Sequence, residues 1–260
     1  DGWHVIEIDG HNYVQIFNAV AASKKIDKPV LVLANTIMSY GVSFMENIAG
    51  YHGKPLTEAQ LADALKELGI ENNLEALKVK RAAFKFGHKE HEIHFEKPEI
   101  YTGTPRTYAA DVKTDNRSAF GDALLDVVKA TKDKNGTPIA VFDCDLAGSV
   151  KTDGVEKNCS DNFVQCGIQE HHTATCAGAA SVNGVVSFFA DFGVFGVDEV
   201  YNQQRLNDIN EGNVKVATTH VGLDVGEDGK THQCLDYVGA MRNIFNFKVI
   251  VPGDPNQTDR

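Results

Sequence analysis

Two stretches of the chain gather residue types that handle protons and anions. The first, THVGLDVGEDGKTHQ at 219–233, leaves an apolar β-rich run and enters a helix-like stretch. Gly222, Gly226 and Gly229 permit positive φ and close backbone approach, and a helix start beyond them offers unpaired N–H groups to an anion. His220 and His232 flank this loop with Asp228 between them. Two imidazoles and a carboxylate can exchange protons with the hydroxyls of a polar ligand. The same spacing equally suits a Gly-rich turn carrying solvated histidines. The second stretch, FVQCGIQEHHTATCAGAASVNG at 163–184, begins a helix at Glu170 whose Ala and Gly residues suit tight packing. By residue type alone, Glu170 is a charge favoured by the helix dipole.

Other chemistry-bearing residues carry blander readings. HKEHEIH sets His88, His91 and His94 close together, but in a charged, aperiodic segment that reads as solvated, so no metal site is expected. Cys166 and Cys176 read as small hydrophobes, and His171 and His172 as neighbours of Glu170.

The elements that must position these loops alternate strand and helix. Residues 3–9 predict a strand, and 12–25 an amphipathic helix with Val14, Phe17 and Ala21 on one face. The run at 29–37 predicts a strand buried on both sides of a parallel sheet. A Gly-rich loop follows, then a capping-box helix from Thr57 with Leu61, Leu65 and Leu68 at helical spacing, and a helix over 74–83. Residues 85–116, charged and interrupted by Pro98 and Pro105, predict a linker. Beyond it come a helix at 117–134, a strand at 138–143, a long polar loop and a helix at 170–180. Strands at 185–190, 214–220 and 248–252 then alternate with helices at 197–210 and 233–245. Such alternation predicts parallel α/β units whose ligands sit beyond the strand C-termini. Three parts follow: 1–84 in a first domain, 85–116 as linker, and 117–260 in a second.

Composition narrows the class of partner. The 260 residues are 42% hydrophobic and 23% charged, an ordinary globular balance, and no apolar run is long enough for a membrane helix. A net charge of −11 argues against nucleic acid or an anionic membrane as partner. Five cysteines without a C-x-x-C pair, and no secretory leader, give the expectation of a reducing, cytoplasmic setting. The opening Asp1-Gly2-Trp3, running straight into a strand, gives the expectation of a piece of a longer chain.

Taken together, GIQEH with its AGAA helix, FADFGVF and TTHVGLDVGEDGKTHQ resemble the pyrimidine-binding domain of transketolase, a thiamine-diphosphate enzyme. DCDLAGSVKT at 143–152 is similar to that domain's first strand-end loop. GW-x-V, PVLVLANTIMSYG and GYHGKPL resemble the last part of the diphosphate-binding domain. The resemblance implies a parallel-sheet thiamine-diphosphate-binding α/β fold, with parts of two domains joined by a linker and the pyrimidine-binding one truncated at its C-terminal end. It implies transfer of a two-carbon ketol unit from a ketose phosphate to an aldose phosphate, in the pentose phosphate pathway. Glu170 then matches the glutamate that bonds the aminopyrimidine nitrogen, so that the imino form takes the thiazolium C2 proton. Phe192 and Phe195 match aromatic positions on the pyrimidine ring, although core filling explains Phe195 as well. Asp145 matches an acidic position near the cofactor across a dimer interface, and His52 a catalytic histidine near the cofactor's diphosphate and the substrate. His220, Asp228 and the catalytic His232 match sugar-binding positions, and Arg117 and Ser149 phosphate-gripping ones.

Two departures stand out. Lys230 occupies a position where the family commonly has proline, and the G-D-G plus Asn motif for magnesium and diphosphate does not occur in the sequence. Mg²⁺ (or Ca²⁺) is therefore expected to be bound mainly by residues outside this chain, in a homodimer or with a complementary subunit. Deoxyxylulose-phosphate synthase, a dehydrogenase β-subunit and a silent, fold-retaining subunit remain the alternatives.

Overall fold

The computed structural model describes residues 2–84 and 97–260. They fall into two units, 2–84 and 97–260.

In the first unit, β1 (His4–Asp9) pairs in parallel with β2 (Val30–Asn35), joined by α1 (Tyr13–Ser23). Asn12 caps α1, its side chain accepting from the amides of Val14 and Gln15. The buried face differs from the expected one: Ala19 is buried, while Val14 and Phe17 are 68% and 73% exposed. YVQIFNAVAAS is apolar nearly all round, so spacing alone cannot choose which stripe meets the sheet. β2 is likewise not buried on both faces; it has one strand neighbour and exposes most of its length. After a loop that includes a 3₁₀ turn at Ala49–Tyr51 come α2 (Glu58–Glu67) and α3 (Leu74–Ala83). Thr57 and Gln60 form the expected capping box.

The second unit holds α4 (Asn116–Asp133), β3 (Ile139–Asp143), α5 (Ala147–Val150), α6 (Asp153–Asn158), β4 (Phe163–Gln165), α7 (Glu170–Val182), β5 (Val186–Phe192), α8 (Tyr201–Ile209), β6 (Val214–Thr219), α9 (Tyr237–Met241) and α10 (Pro255–Asp259). The sheet is all-parallel in the order β4-β3-β5-β6. Its central strands are buried on both faces and read as continuous apolar runs, as parallel strands do. Val141 packs with Leu124 and Val128 of α4 and Val155 of α6. On the other face Phe142 and Phe189 pack with Ala174 and Ala177 of α7. From β3 the chain turns outward to β4, then crosses back to β5, so a crevice opens beyond the ends of β3 and β5.

Several expected elements take another form. The polar loop after β3 contains α5, α6 and the edge strand β4, each too short to show a period. The helix expected at 233–245 is only α9, preceded by a 3₁₀ turn at Gly229–Thr231, so His232 does not start a helix. The strand expected at 248–252 is extended chain without a ladder; its β-branched run has propensity but no strand to pair with among the described residues. Chain at 97–112 lies along the second unit. The Thr137 amide donates to Glu99 O, Arg106 pairs with Asp126 at 2.7 Å, and Tyr108 exchanges hydrogen bonds with Asn256.

Candidate active site

Most of the site residues expected from sequence converge at the C-terminal edge of the second sheet. Gly193 makes this possible: a Cβ there would come within 2.6 Å of Val221 Cγ1 and 3.0 Å of Cys234 Cβ. Without one, the end of β5 and the loop after β6 can touch. The chain then enters a π-helical turn, Val194–Glu199, which carries Phe195 beside Phe192. The two rings are stacked, 6.0 Å apart and 13° from parallel. His220 lies against Phe192 at 3.9 Å, and His232 meets Phe195 edge-on at 5.4 Å.

Arg117, near the start of α4, closes one side. Its guanidinium donates to the Ser149 carbonyl at 3.2 Å and reaches His220 Nε2 at 3.4 Å. Because a guanidinium can only donate, Nε2 must accept, which places the imidazole proton on Nδ1. That N–H then donates to Thr219 Oγ1, 2.7 Å away. Burial first, then Arg117 and His232, push His220 below the ordinary histidine value, against an opposing pull from Asp228. His220 is thus neutral at pH 7, and its φ of +53° sits in the left-handed region that a histidine seldom adopts. His232 engages Thr231 Oγ1 through Nδ1 at 2.9 Å, leaving Nε2 for a ligand. Asp228 is exposed on the same loop.

Glu170 is the first residue of α7 and is buried. Its carboxylate makes no hydrogen bond to the described residues. Asp145 is exposed just beyond β3, with φ +64° and its amide held by Gln165 Oε1 at 2.8 Å; its side chain joins none of these contacts. His52 follows the 3₁₀ turn of the first unit. His88, His91 and His94 lie outside the described residues. Cys166 and Cys176 are only half-buried, and Cys176 Sγ lies 3.3 Å from His172 Nε2. His171 pairs with Glu199 at 3.6 Å.

Sequence reasoning missed Cys144 and Asp191, which lie close to Glu170 at the strand ends, and Asp143, whose charge acts on Asp191. Asp143 accepts from the Leu146 amide, Thr152 Oγ1 and Gln165 Nε2, and so ties the loop after β3 to the edge strand. The available signal was an acid inside an apolar strand, as in FFADF and AVFDC.

Known proteins resemble the chain over both units. A family model described as "Transketolase, thiamine diphosphate binding domain" matches residues 1–102. Transketolases of Mus musculus and Homo sapiens are each 26% identical over 260 residues, covering all of this chain and 40% of their own length. Transketolase-like protein 1 of Bos taurus is 27% identical over 99% of this chain and 42% of its own length. The chain thus spans about two-fifths of these relatives. The solved structure of transketolase from Campylobacter jejuni superposes with a TM-score of 0.73 at 25% identity, over 97% of this chain and 43% of the other. A Pichia stipitis transketolase mutant in complex with fructose 6-phosphate shares the fold, with a TM-score of 0.72 at 20% identity over 99% of this chain and 44% of that one. A second family model, "Transketolase, pyrimidine binding domain", covers residues 112–260, more than half of the sequence, and the chain belongs to the transketolase family.

Proposed function

We propose that these residues form part of a transketolase active site that moves a two-carbon ketol unit from a ketose phosphate to an aldose phosphate, as in the pentose phosphate pathway. The observation that carries this reading is Glu170: a buried residue whose carboxylate has no hydrogen bond to the described residues, beside strand ends that present the stacked Phe192 and Phe195. An aminopyrimidine needs an acceptor for its ring proton and an aromatic wall, so these residues fit thiamine diphosphate. That cofactor, when bound, supplies the carbon nucleophile by losing its thiazolium C2 proton.

This chain's residues do the rest. Glu170 accepts from the pyrimidine ring and stabilises its protonated form, while Phe192 and Phe195 exclude water from the ring face. Arg117 and Ser149 bind the sugar phosphate, the guanidinium fork matching a dianion. Neutral His220 and the free Nε2 of His232 face the carbonyl and hydroxyls, and Asp228 accepts from a hydroxyl. Asp145 and His52 are assigned to the cofactor, Asp145 across a subunit interface; its exposed side chain supports that assignment. We assign Mg²⁺ (or Ca²⁺) mainly to residues outside this chain, since the sequence has no G-D-G motif. The assembly is a homodimer or a complementary-subunit complex. Five free cysteines favour a cytoplasmic setting, and no described helix is long and apolar enough to cross a membrane. The division at 1–84, 85–116 and 117–260 is retained as the proposed domain scheme.

Glu170→Gln in the enzyme that carries these residues tests the assignment. The amide keeps the shape but cannot stabilise the protonated ring, so C2 proton exchange on bound cofactor should slow by on the order of 10²- to 10⁴-fold, with an unchanged circular dichroism spectrum. Exchange at the wild-type rate would refute the reading.

A further inference from the structure

The mechanism leaves three buried acids unused, Asp143, Asp191 and Asp208, and of these only Asp191 has a fully buried oxygen without a partner among the described residues. Asp191 ends the apolar run of β5, one residue before Phe192, and is fully buried. Its Oδ1 accepts from the Phe192 amide at 2.7 Å, but its Oδ2 has no hydrogen-bond partner among the described residues. A carboxylate oxygen of Asp191, one of Glu170 and the Cys144 Sγ lie within 4.8 Å of one another. Cys144 is itself a neutral thiol, pushed up to about 12 by burial, and it donates to Thr173 Oγ1 at 3.2 Å.

Every element packed on Asp191 tells the same electrostatic story. From α7 comes Glu170, and from the end of β3 come Asp143 and Cys144. From β6 the register partner is Thr218, which is uncharged, and from the π-helical turn Gly196 backs its Cβ. Asp143 has its own donors in Leu146, Thr152 and Gln165, whereas the Glu170 carboxylate has none among the described residues. Two carboxylates this close in a buried site do not both ionise at modest cost. A single proton on Asp191 Oδ2 meets both needs at once, because it removes the bare buried charge and gives Glu170 a donor. The long side chain of Glu170 can close the remaining gap.

We propose that Asp191 is a positioning residue for Glu170: as a neutral carboxyl it donates to the Glu170 carboxylate. This rests on the assignment of Glu170 as the group that meets the cofactor, but the contact belongs to the protein alone. Burial, joined by the charges of Glu170 and Asp143 and opposed by the Phe192 amide and Cys144, pushes Asp191 up to about 7, in keeping with the arrangement. No group on the opposing elements offsets it with a positive charge among the influences described above.

Infrared titration of the full chain, without cofactor, tests the pair. The wild type should show a protonated-carboxyl C=O band at pH 6 that disappears on raising the pH through about 7. Asp191→Asn should lack that band. Glu170→Gln, which keeps Asp191, should retain it with a midpoint lower by about one unit or more, a tenfold change in proton affinity. This second variant decides the matter if Asp191→Asn does not fold. A band that survives in Asp191→Asn, or a midpoint unmoved by Glu170→Gln, overturns the proposal. Intact coupling combined with wild-type C2 exchange in Glu170→Gln would instead leave the pair standing and remove the function assigned to Glu170.

Discussion

At the scale of single residues, Asp191 and His220 owe their shifted protonation to burial and to charged neighbours. Asp191 is the extreme case, and it carries a stability consequence. Its carboxyl is pushed up to about 7 in the fold but titrates near the ordinary aspartate value of 3.8 when unfolded. Between those values the folded state binds the extra proton, so stability falls as pH rises from about 4 to 7 and levels off above. The full effect is at most roughly 4 kcal/mol for a shift of this size. Asp191→Asn has no such titration, so it should gain on the wild type steadily over that window. Urea unfolding at pH 4.5 and pH 8 measures the difference; an equal gap at both values contradicts it.

His220 shifts in the opposite direction, and its causes can be separated. Burial is the largest, and the Arg117 guanidinium comes next. Arg117→Met removes the cation while keeping much of the bulk, so the His220 value should rise toward that of an ordinary histidine. It should stay below it, because burial remains. Proton NMR titration of the imidazole reads this directly, and an unmoved or lowered value would show that the 3.4 Å contact does not govern the ring.

At the scale of elements, the architecture was legible where the chain repeats a period for long enough. The strands at 139–143 and 186–192 are apolar almost without interruption, and α4 carries Leu124 and Val128 on one stripe, so both could be read directly. Elements of three to six residues, such as α5, α6 and β4, could not be, because a single turn or a three-residue ladder has no period to detect. The loop residues were legible for a different reason: GIQEH and GEDGKTHQ are recognised as motifs, not as patterns of burial. Asp191 was hidden inside a strand pattern, where residue type alone does not say whether an acid is paired.

Close approach between elements also escapes a sequence reading until the backbone is seen. Gly121 of α4 faces the end of α5, and a Cβ there would clash with the Lys151 carbonyl oxygen. This contact holds Arg117 and Ser149 together, since one precedes Gly121 on α4 and the other sits on α5. Lys151 is itself at φ +68°, which leaves its backbone little freedom to retreat. Gly121→Ala should therefore push α5 away from α4, at a cost of about 1–3 kcal/mol. In the enzyme it should also raise KM for phosphorylated sugars more than it lowers kcat, because the proposed phosphate grip of Arg117 and Ser149 is what moves. Thermal unfolding and steady-state kinetics together test this; an unchanged KM with lowered stability would separate the packing from the assigned grip.

At the scale of the whole chain, the two units differ in how completely they bury their sheets. In the second, β3 and β5 lie between helices on both faces, and Val141, Phe189 and Ala190 are fully buried. In the first, β1 and β2 form a two-stranded ladder whose Leu31 and Leu33 are about half exposed. Hydrophobic burial is the main favourable term in folding, and local opening follows where it is thin. A two-stranded pair with one covering helix should open well before the four-stranded sheet. Hydrogen exchange on the chain in increasing urea should show the amides of His4–Asp9 and Val30–Asn35 losing protection first. Those of Ile139–Asp143 and Val186–Phe192 should persist to the global transition. If all four strands lose protection together, the chain is one cooperative body, and the burial difference between its sheets does not govern how it unfolds.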